Sequence, residues 1–253
     1  SESLKTNVIG VGNVVQSCVE LKTTLKELEC VLMVSTDKAC APTNVYGMSK
    51  ALAERIVIGQ SRVNESVRFL GVRYGNVLDS RGSIVPLFRY QAQYKDAFTI
   101  TDARMTRFLM TLNESIDLIE SAVTDGNNGE FWIPRLRSMK IQDLAEIFST
   151  KYGKETHIIG IRPGEKLHEE LISETESLRA IEKNQRIILY PAYKPLGGRS
   201  EIWSYSSEDN NLTKNELEKF LIEKEVFELP LESFVGRGIE EIRTSEGSIG
   251  IDK

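Results

Sequence analysis

Val31-Leu32-Met33-Val34-Ser35 is an unbroken apolar run of strand length, closed by a polar residue and showing no alternation. A strand of this kind is covered on both faces, as in a parallel sheet, so the chain must supply helices for both sides. Upstream, Leu4, Val8, Val11, Val14, Val15, Cys18 and Val19 recur at three- and four-residue spacing, which predicts an amphipathic helix. Downstream, after a loop with Pro42, residues 46–60 repeat the helical spacing through Leu52, Ile56 and Val57, and residues 67–74 read as a second strand. Strand, helix, strand is the βαβ alternation of an α/β fold with a doubly wound parallel sheet.

Beyond Gly75 the pattern is less regular. A Gly/Ser loop at 79–83 precedes a helix at 86–94, a helix at 114–123, a strand at 130–133 and a helix at 141–151, a mixture that suits a smaller, partly inserted lobe. Residues 206–211 are turn-like, 212–224 form a short amphipathic helix, and the end from Thr244 is rich in Ser and Gly, as in a mobile terminus.

Composition removes several function classes. With 253 residues, 40% hydrophobic and 27% charged, the chain has material for a core, and wholesale disorder is excluded. A net charge of -5 advertises no basic face for nucleic acid. The three cysteines, Cys18, Cys30 and Cys40, form no CxxC pair and are odd in number, and His157 and His168 are the only histidines, so neither a disulfide framework nor a metal site is expected. No apolar run approaches the ~20 residues of a membrane span. A reduced, cytoplasmic protein without membrane contact is expected.

Chemistry concentrates in a few places. Tyr46 and Lys50 are four apart, one helical turn, on the same face of the helix that follows the apolar strand. Tyr190 and Lys194 have the same spacing, but Pro191 between them forbids the regular helix that the geometry needs. Ser35-Thr36-Asp37-Lys38 ends the apolar strand, where open α/β sheets bind ligands. Ser80-Arg81-Gly82-Ser83 offers backbone N–H groups and a guanidinium at a helix start, Asn76 ends the second strand, and Arg162 and Glu165 flank a Pro163-Gly164 turn.

Taken together, Val34-Ser35-Thr36-Asp37-Lys38-Ala39, Pro42-Thr43-Asn44-Val45-Tyr46-Gly47-Met48-Ser49-Lys50, Val72-Arg73-Tyr74-Gly75-Asn76-Val77, Ser80-Arg81-Gly82-Ser83 and Arg162-Pro163-Gly164-Glu165-Lys166-Leu167-His168-Glu169 resemble the extended short-chain dehydrogenase/reductases that act as nucleotide-sugar 4,6-dehydratases. Within them the motifs resemble most the short UDP-N-acetylglucosamine 4,6-dehydratases, including the inverting type that epimerises C5. The resemblance implies a Rossmann-like sheet with a smaller C-terminal substrate-binding lobe, NADP as cofactor, a UDP-sugar substrate and a homo-oligomer. It implies that residues 1–80 belong to the NADP-binding domain with the catalytic residues and 81–225 mainly to the substrate lobe with returning segments, with 226–253 a partly mobile extension. By the same resemblance Tyr46 takes the C4 hydroxyl proton, Lys50 lowers the phenol pKa and holds the nicotinamide ribose, and Thr36 orients the C4 oxygen. Lys38 is then the C5 base and Asp37 the acid at the C6 oxygen. Asn76, Ser80, Arg81, Ser83, Arg162 and Glu165 are implied on the substrate, the last two at its UDP end. Two departures stand out: no GxxGxxG loop follows a first strand, so the sheet is expected to be N-terminally incomplete by roughly 100 residues, and Arg137 stands where the family usually has Pro. Another nucleotide-sugar epimerase or dehydratase, or a noncatalytic chain that binds a nucleotide sugar or a partner, remains open.

Overall fold

The structure is a computed structural model that describes residues 2–78, 80, 83–194 and 201–228. In chain order its helices are α1 (Glu2–Leu4), α2 (Val11–Glu20), α3 (Val45–Gln60), α4 (Ile84–Tyr94), α5 (Leu112–Asp125), α6 (Ile141–Tyr152), α7 (Glu174–Ser177) and α8 (Lys214–Glu223). The strands are β1 (Cys30–Thr36), β2 (Arg68–Tyr74), β3 (Ala97–Ile100), β4 (Thr106–Leu109), β5 (Phe131–Pro134), β6 (Arg137–Lys140), β7 (Glu155–Ile158), β8 (Glu170–Ile172), β9 (Ala180–Lys183), β10 (Arg186–Leu189) and β11 (Tyr205–Ser206).

The expected strand, helix, strand unit is present: β1 and β2 pair in parallel from Cys30 opposite Arg68 to Thr36 opposite Tyr74. Asn44 caps α3, its Oδ1 accepting from Gly47 N–H at 2.9 Å, which stops the helix from starting inside the preceding loop. Val15 of α2, Ala53 and Val57 of α3, Met33 and Phe69 close one interior on this side of the sheet. On the other side, Leu118 and Ala122 of α5 pack against Leu70, Val72 and Trp132. β5 joins β2 in parallel, and Gly71 permits it: a β-carbon there would lie 2.3 Å from the Phe131 ring. β10 and β9 complete the sheet antiparallel, in the order β1-β2-β5-β10-β9.

Two expectations are corrected. β1 is only partly covered on its second face, and among the described residues it is also an edge strand. Val31 and Met33 face α2 and α3, but cover on the opposite face thins beyond Leu32 until Val34 is 40% exposed. The helix at the start is not regular either, since Lys5–Gly10 is π-helical; there Asn7 Nδ2 donates to Ser49 Oγ of α3 at 3.0 Å.

A second interior lies beyond the sheet. Phe88 of α4, Phe98 of β3 and Phe148 of α6 meet with ring centroids 5.4–5.8 Å apart, and Leu217 and Leu221 of α8 close over them. Small sheets frame it, β3 with β7 and β4 with β6. Val226 is buried here and its carbonyl accepts from Arg89 Nε at 2.6 Å, so the packing runs past the boundary expected at 226.

Candidate active site

Between the two interiors, at the carboxyl ends of β1 and β2, lies a cleft of about 860 Å³. Thr36, Lys38, Tyr46, Lys50, Asn76, Ser80, Ser83, Arg162 and Glu165 all line it. Asp37 does not reach its wall; it is fully buried immediately behind, in the 3-10 turn Asp37–Ala39. Arg81 lies outside the described residues. His157 is exposed, and His168 is a packing residue, its Nδ1 2.9 Å from Thr106 Oγ1.

Where β1 ends, Thr36 Oγ1 donates to Asp37 Oδ1 at 2.9 Å and accepts from the Lys38 N–H. The same Asp37 oxygen accepts from Lys38 Nζ at 3.1 Å, while its other oxygen, Oδ2, is buried without a hydrogen-bond partner among the described residues. Gly47 brings this turn against α3: a β-carbon on it would lie 2.3 Å from the Lys38 carbonyl oxygen. The turn with Asp37 and Lys38 is thereby seated on the first turn of the helix that carries Tyr46 and Lys50. Burial pushes the Lys50 ammonium below its ordinary pKa, and Glu54, one turn further along α3, opposes the fall.

Beneath the cleft runs a buried charge cluster. Arg73 of β2 donates to both oxygens of Glu54, at 3.0 and 2.6 Å, and to both of Glu176 on α7, at 2.9 and 3.0 Å. Ser35 Oγ, next to Thr36, donates to Glu54 Oε1 at 2.6 Å. Burial works against the charge on Arg73, but the two carboxylates outweigh it and hold the guanidinium well above its ordinary pKa. Burial likewise pushes Glu176 up, yet Arg73 pulls it down to about 2. The cluster ties α7 to β1, α3 and β2, the elements that aim the cleft residues.

The far wall is pinned to the near one through a turn. Gly164 takes a left-handed φ of 85°, and its carbonyl accepts from Thr43 Oγ1 at 2.8 Å and Asn44 Nδ2 at 3.0 Å. Arg162 and Glu165 close the turn, Glu165 N–H donating to the Arg162 carbonyl and Arg162 N–H to Glu165 Oε2, both at 3.1 Å. At the start of α4, Ser83 Oγ is buried with no hydrogen-bond partner among the described residues and caps nothing, which leaves it and the helix's first N–H groups for an anion.

Sequence reasoning passed over Glu54, Arg73, Arg107 and Glu169. Arg73 carried a signal, a charged residue inside an otherwise apolar strand, and Glu169 closes the Arg162–Glu169 motif without a role being read for it; Arg107 carried no signal of its own, because it enters the cleft wall only through folding.

A family model described as "Polysaccharide biosynthesis protein" matches residues 1–191. The chain belongs to this family. Within it, the chain is 39% identical to an uncharacterized membrane protein of Methanocaldococcus jannaschii, covering 88% of this chain and 68% of that one. It is 35% identical to the inverting UDP-N-acetylglucosamine 4,6-dehydratase of Campylobacter jejuni (86% and 68%) and 40% identical to a UDP-glucose 4-epimerase of Rickettsia rickettsii (71% and 52%). The solved structure of Pen from Bacillus thuringiensis superposes with a TM-score of 0.78 at 32% identity, covering 87% of this chain and 68% of that one. The chain thus spans about half to two thirds of the length of these relatives. The resemblance read from the motifs and the Rossmann-like α/β fold both hold. Among the described residues no helix is long and apolar enough to cross a membrane.

Proposed function

We propose that the cleft is the catalytic centre of an NADP-dependent nucleotide-sugar 4,6-dehydratase that acts on UDP-N-acetylglucosamine and epimerises C5. One arrangement carries the reading: the Tyr46 and Lys50 pair on α3 and Lys38 after β1, with Asp37 3.1 Å behind it, meet at one cleft, as a reaction that couples C4 oxidation to loss of water across C5 and C6 requires. In this reading residues 1–80 supply the catalytic wall and 81–225 mainly the substrate wall.

The cleft suits the nicotinamide end of the cofactor. Tyr46 and Lys50 would face its ribose on the helix side, while the sequence has no glycine-rich loop for the pyrophosphate. A bound nicotinamide supplies a hydride acceptor at C4 and, later, a donor at C6. Tyr46 takes the C4 hydroxyl proton, with Lys50 one helical turn further along on the same side of the cleft. Oxidation at C4 acidifies the C5 proton.

Lys38 is the more constrained partner. Burial pulls its pKa down, but Asp37 and Glu169 outweigh burial and raise it, against opposition from Arg107. As an ammonium it cannot take a proton. Asp37, 3.1 Å away behind the wall, resolves this: Lys38 passes a proton to Asp37, the neutral amine takes the C5 proton, and the proton on Asp37 reaches the departing C6 hydroxyl through Thr36 Oγ1, which lies 2.9 Å from Asp37 and lines the cleft, so that the hydroxyl leaves as water. Ser83, Arg162 and Glu165 hold the UDP end.

Incubating the full-length protein with UDP-N-acetylglucosamine and NADP+ and following the sugar by NMR tests the proposal. A 4-keto-6-deoxy product with inverted C5 is expected. A C4 epimer that retains its C6 hydroxyl would instead establish the epimerase reading that the Rickettsia relative favours.

A further inference from the structure

Glu169 has no role in the chemistry described so far, yet it is 4% exposed and lines the cleft. Its Oε1 lies 3.4 Å from Lys38 Nζ, and its Oε2 is buried with no hydrogen-bond partner among the described residues. The backbone on either side is fixed: Glu169 N–H donates to Ser207 Oγ at 2.9 Å and its carbonyl accepts from Ser207 N–H at 2.8 Å. A carboxylate so placed is built into the wall rather than resting on it.

We propose that Glu169 is a positioning residue for Lys38: its carboxylate steers the amine into the cleft and is the counter-charge that still faces the ammonium once Asp37 carries a proton. The inference rests on reading Lys38 as the C5 base. When Lys38 has handed a proton to Asp37 and taken another from C5, Asp37 is neutral and Lys38 is again a cation. The Lys38 side chain is 34% exposed in the free cleft and is covered further once a sugar fills it, and an ammonium covered there without a counter-charge is costly, so the amine would be a poor base. Glu169 removes that penalty without taking part in the transfer.

The charges around the pair are few. Asp37 faces Lys38 from the same turn. Arg107 of β4 faces it across the wall, 3.7 Å from Glu169 Oε1, with its guanidinium donating to the carbonyls of Thr106, Lys166 and Leu167. His168 is turned to Thr106, with its Nε2 3.7 Å from Glu208, and Tyr46, Lys50 and Lys166 line other parts of the cleft.

The test reads Lys38 directly. In wild type and Glu169→Gln, the rate of Lys38 acylation by acetic anhydride is followed against pH by peptide mass spectrometry, with exposed Lys151 as internal standard. The half-protonation point of Lys38 should fall by about one pH unit in Glu169→Gln, and acylation below that point should quicken about tenfold. In the turning-over enzyme, solvent deuterium exchange at C5 should slow and its pH profile move in the same direction, while C4 oxidation and KM stay near wild type. An unmoved Lys38 titration overturns the proposal. Should Glu169→Gln not fold, Glu169→Asp, which keeps the charge but draws it back from the amine, is read in the same way: the half-protonation point of Lys38 should again fall, and an unmoved value overturns the proposal. A moved titration in a full-length protein that exchanges no C5 hydrogen upholds the pair and overturns the dehydratase reading.

Discussion

At Gly47 a methyl group has nowhere to go, because the atom it meets is the backbone carbonyl of Lys38 at 2.3 Å. Gly47→Ala should therefore push the Asp37–Ala39 turn off α3 and cost about 1–3 kcal/mol, the range for overpacking. Thermal unfolding measures that loss, and kcat should fall more than KM rises, since the turn carries acid and base rather than substrate contacts. Lys38→Met removes the base and leaves Tyr46 and Lys50 in place. The variant should still oxidise C4 on mixing, seen as reduced cofactor absorbance, and should lose solvent deuterium exchange at C5. Normal exchange in that variant would take Lys38 out of the reaction.

Between elements, the Arg73 cluster joins β2 to α3 and α7. Removing one member strands a buried charge, so Arg73→Met should cost about 3–5 kcal/mol in chemical denaturation. The cluster also sets acid sensitivity. Glu176 has an ordinary carboxyl pKa of 4.5 and is held at about 2 in the fold, so its contribution is fully present above pH 4.5 and drains away as pH falls toward 2. The melting temperature should hold down to about pH 5 and then drop, and Glu176→Gln should start lower and drop less over that window.

Legibility also differed by element. β1, α3 and β2 were readable because each carries its own pattern, an unbroken apolar run in β1, helical spacing in α3 and a strand-like apolar run in β2, and because the loop with Pro42 separates β1 from α3. Those same signals located Tyr46, Lys50 and Lys38. The β9 and β10 hairpin was not readable: its turn puts Asn184 and Gln185 at φ of 50° and 59°, and Asn-Gln lacks the glycine that usually announces such a turn. The exposure of Val34 was also hidden, because an apolar run records what a strand can bury and not where in the sheet it lies. Glu169 and Lys38 are 131 positions apart, and only the tertiary fold brings them to one wall.

For the whole molecule, the two walls of the cleft belong to separate interiors, one built on β1, β2 and β5, the other on α4, α6 and α8. Arg162, on the far wall, should act on the nucleotide alone. Arg162→Ala in the full-length protein should lose about 1.5–3 kcal/mol of UDP binding, as for hydrogen bonds to a charged group, and leave NADP+ binding unchanged in calorimetric titration. Equal UDP affinity would reduce Arg162 to a turn residue.

Separate interiors also allow separate histories, joined where the Gly164 carbonyl meets Thr43 and Asn44. Repacking around Phe88, Phe98 and Phe148 that keeps this pin can reshape the far wall while Gly47, Gly71 and the Arg73 cluster, on which the proposed acid, base and redox groups depend, stay on the near side. A scaffold divided in this way can change which sugar nucleotide it admits while keeping one set of reacting groups, so grafting the far wall of one relative onto the near wall of another is a practical route to new substrates.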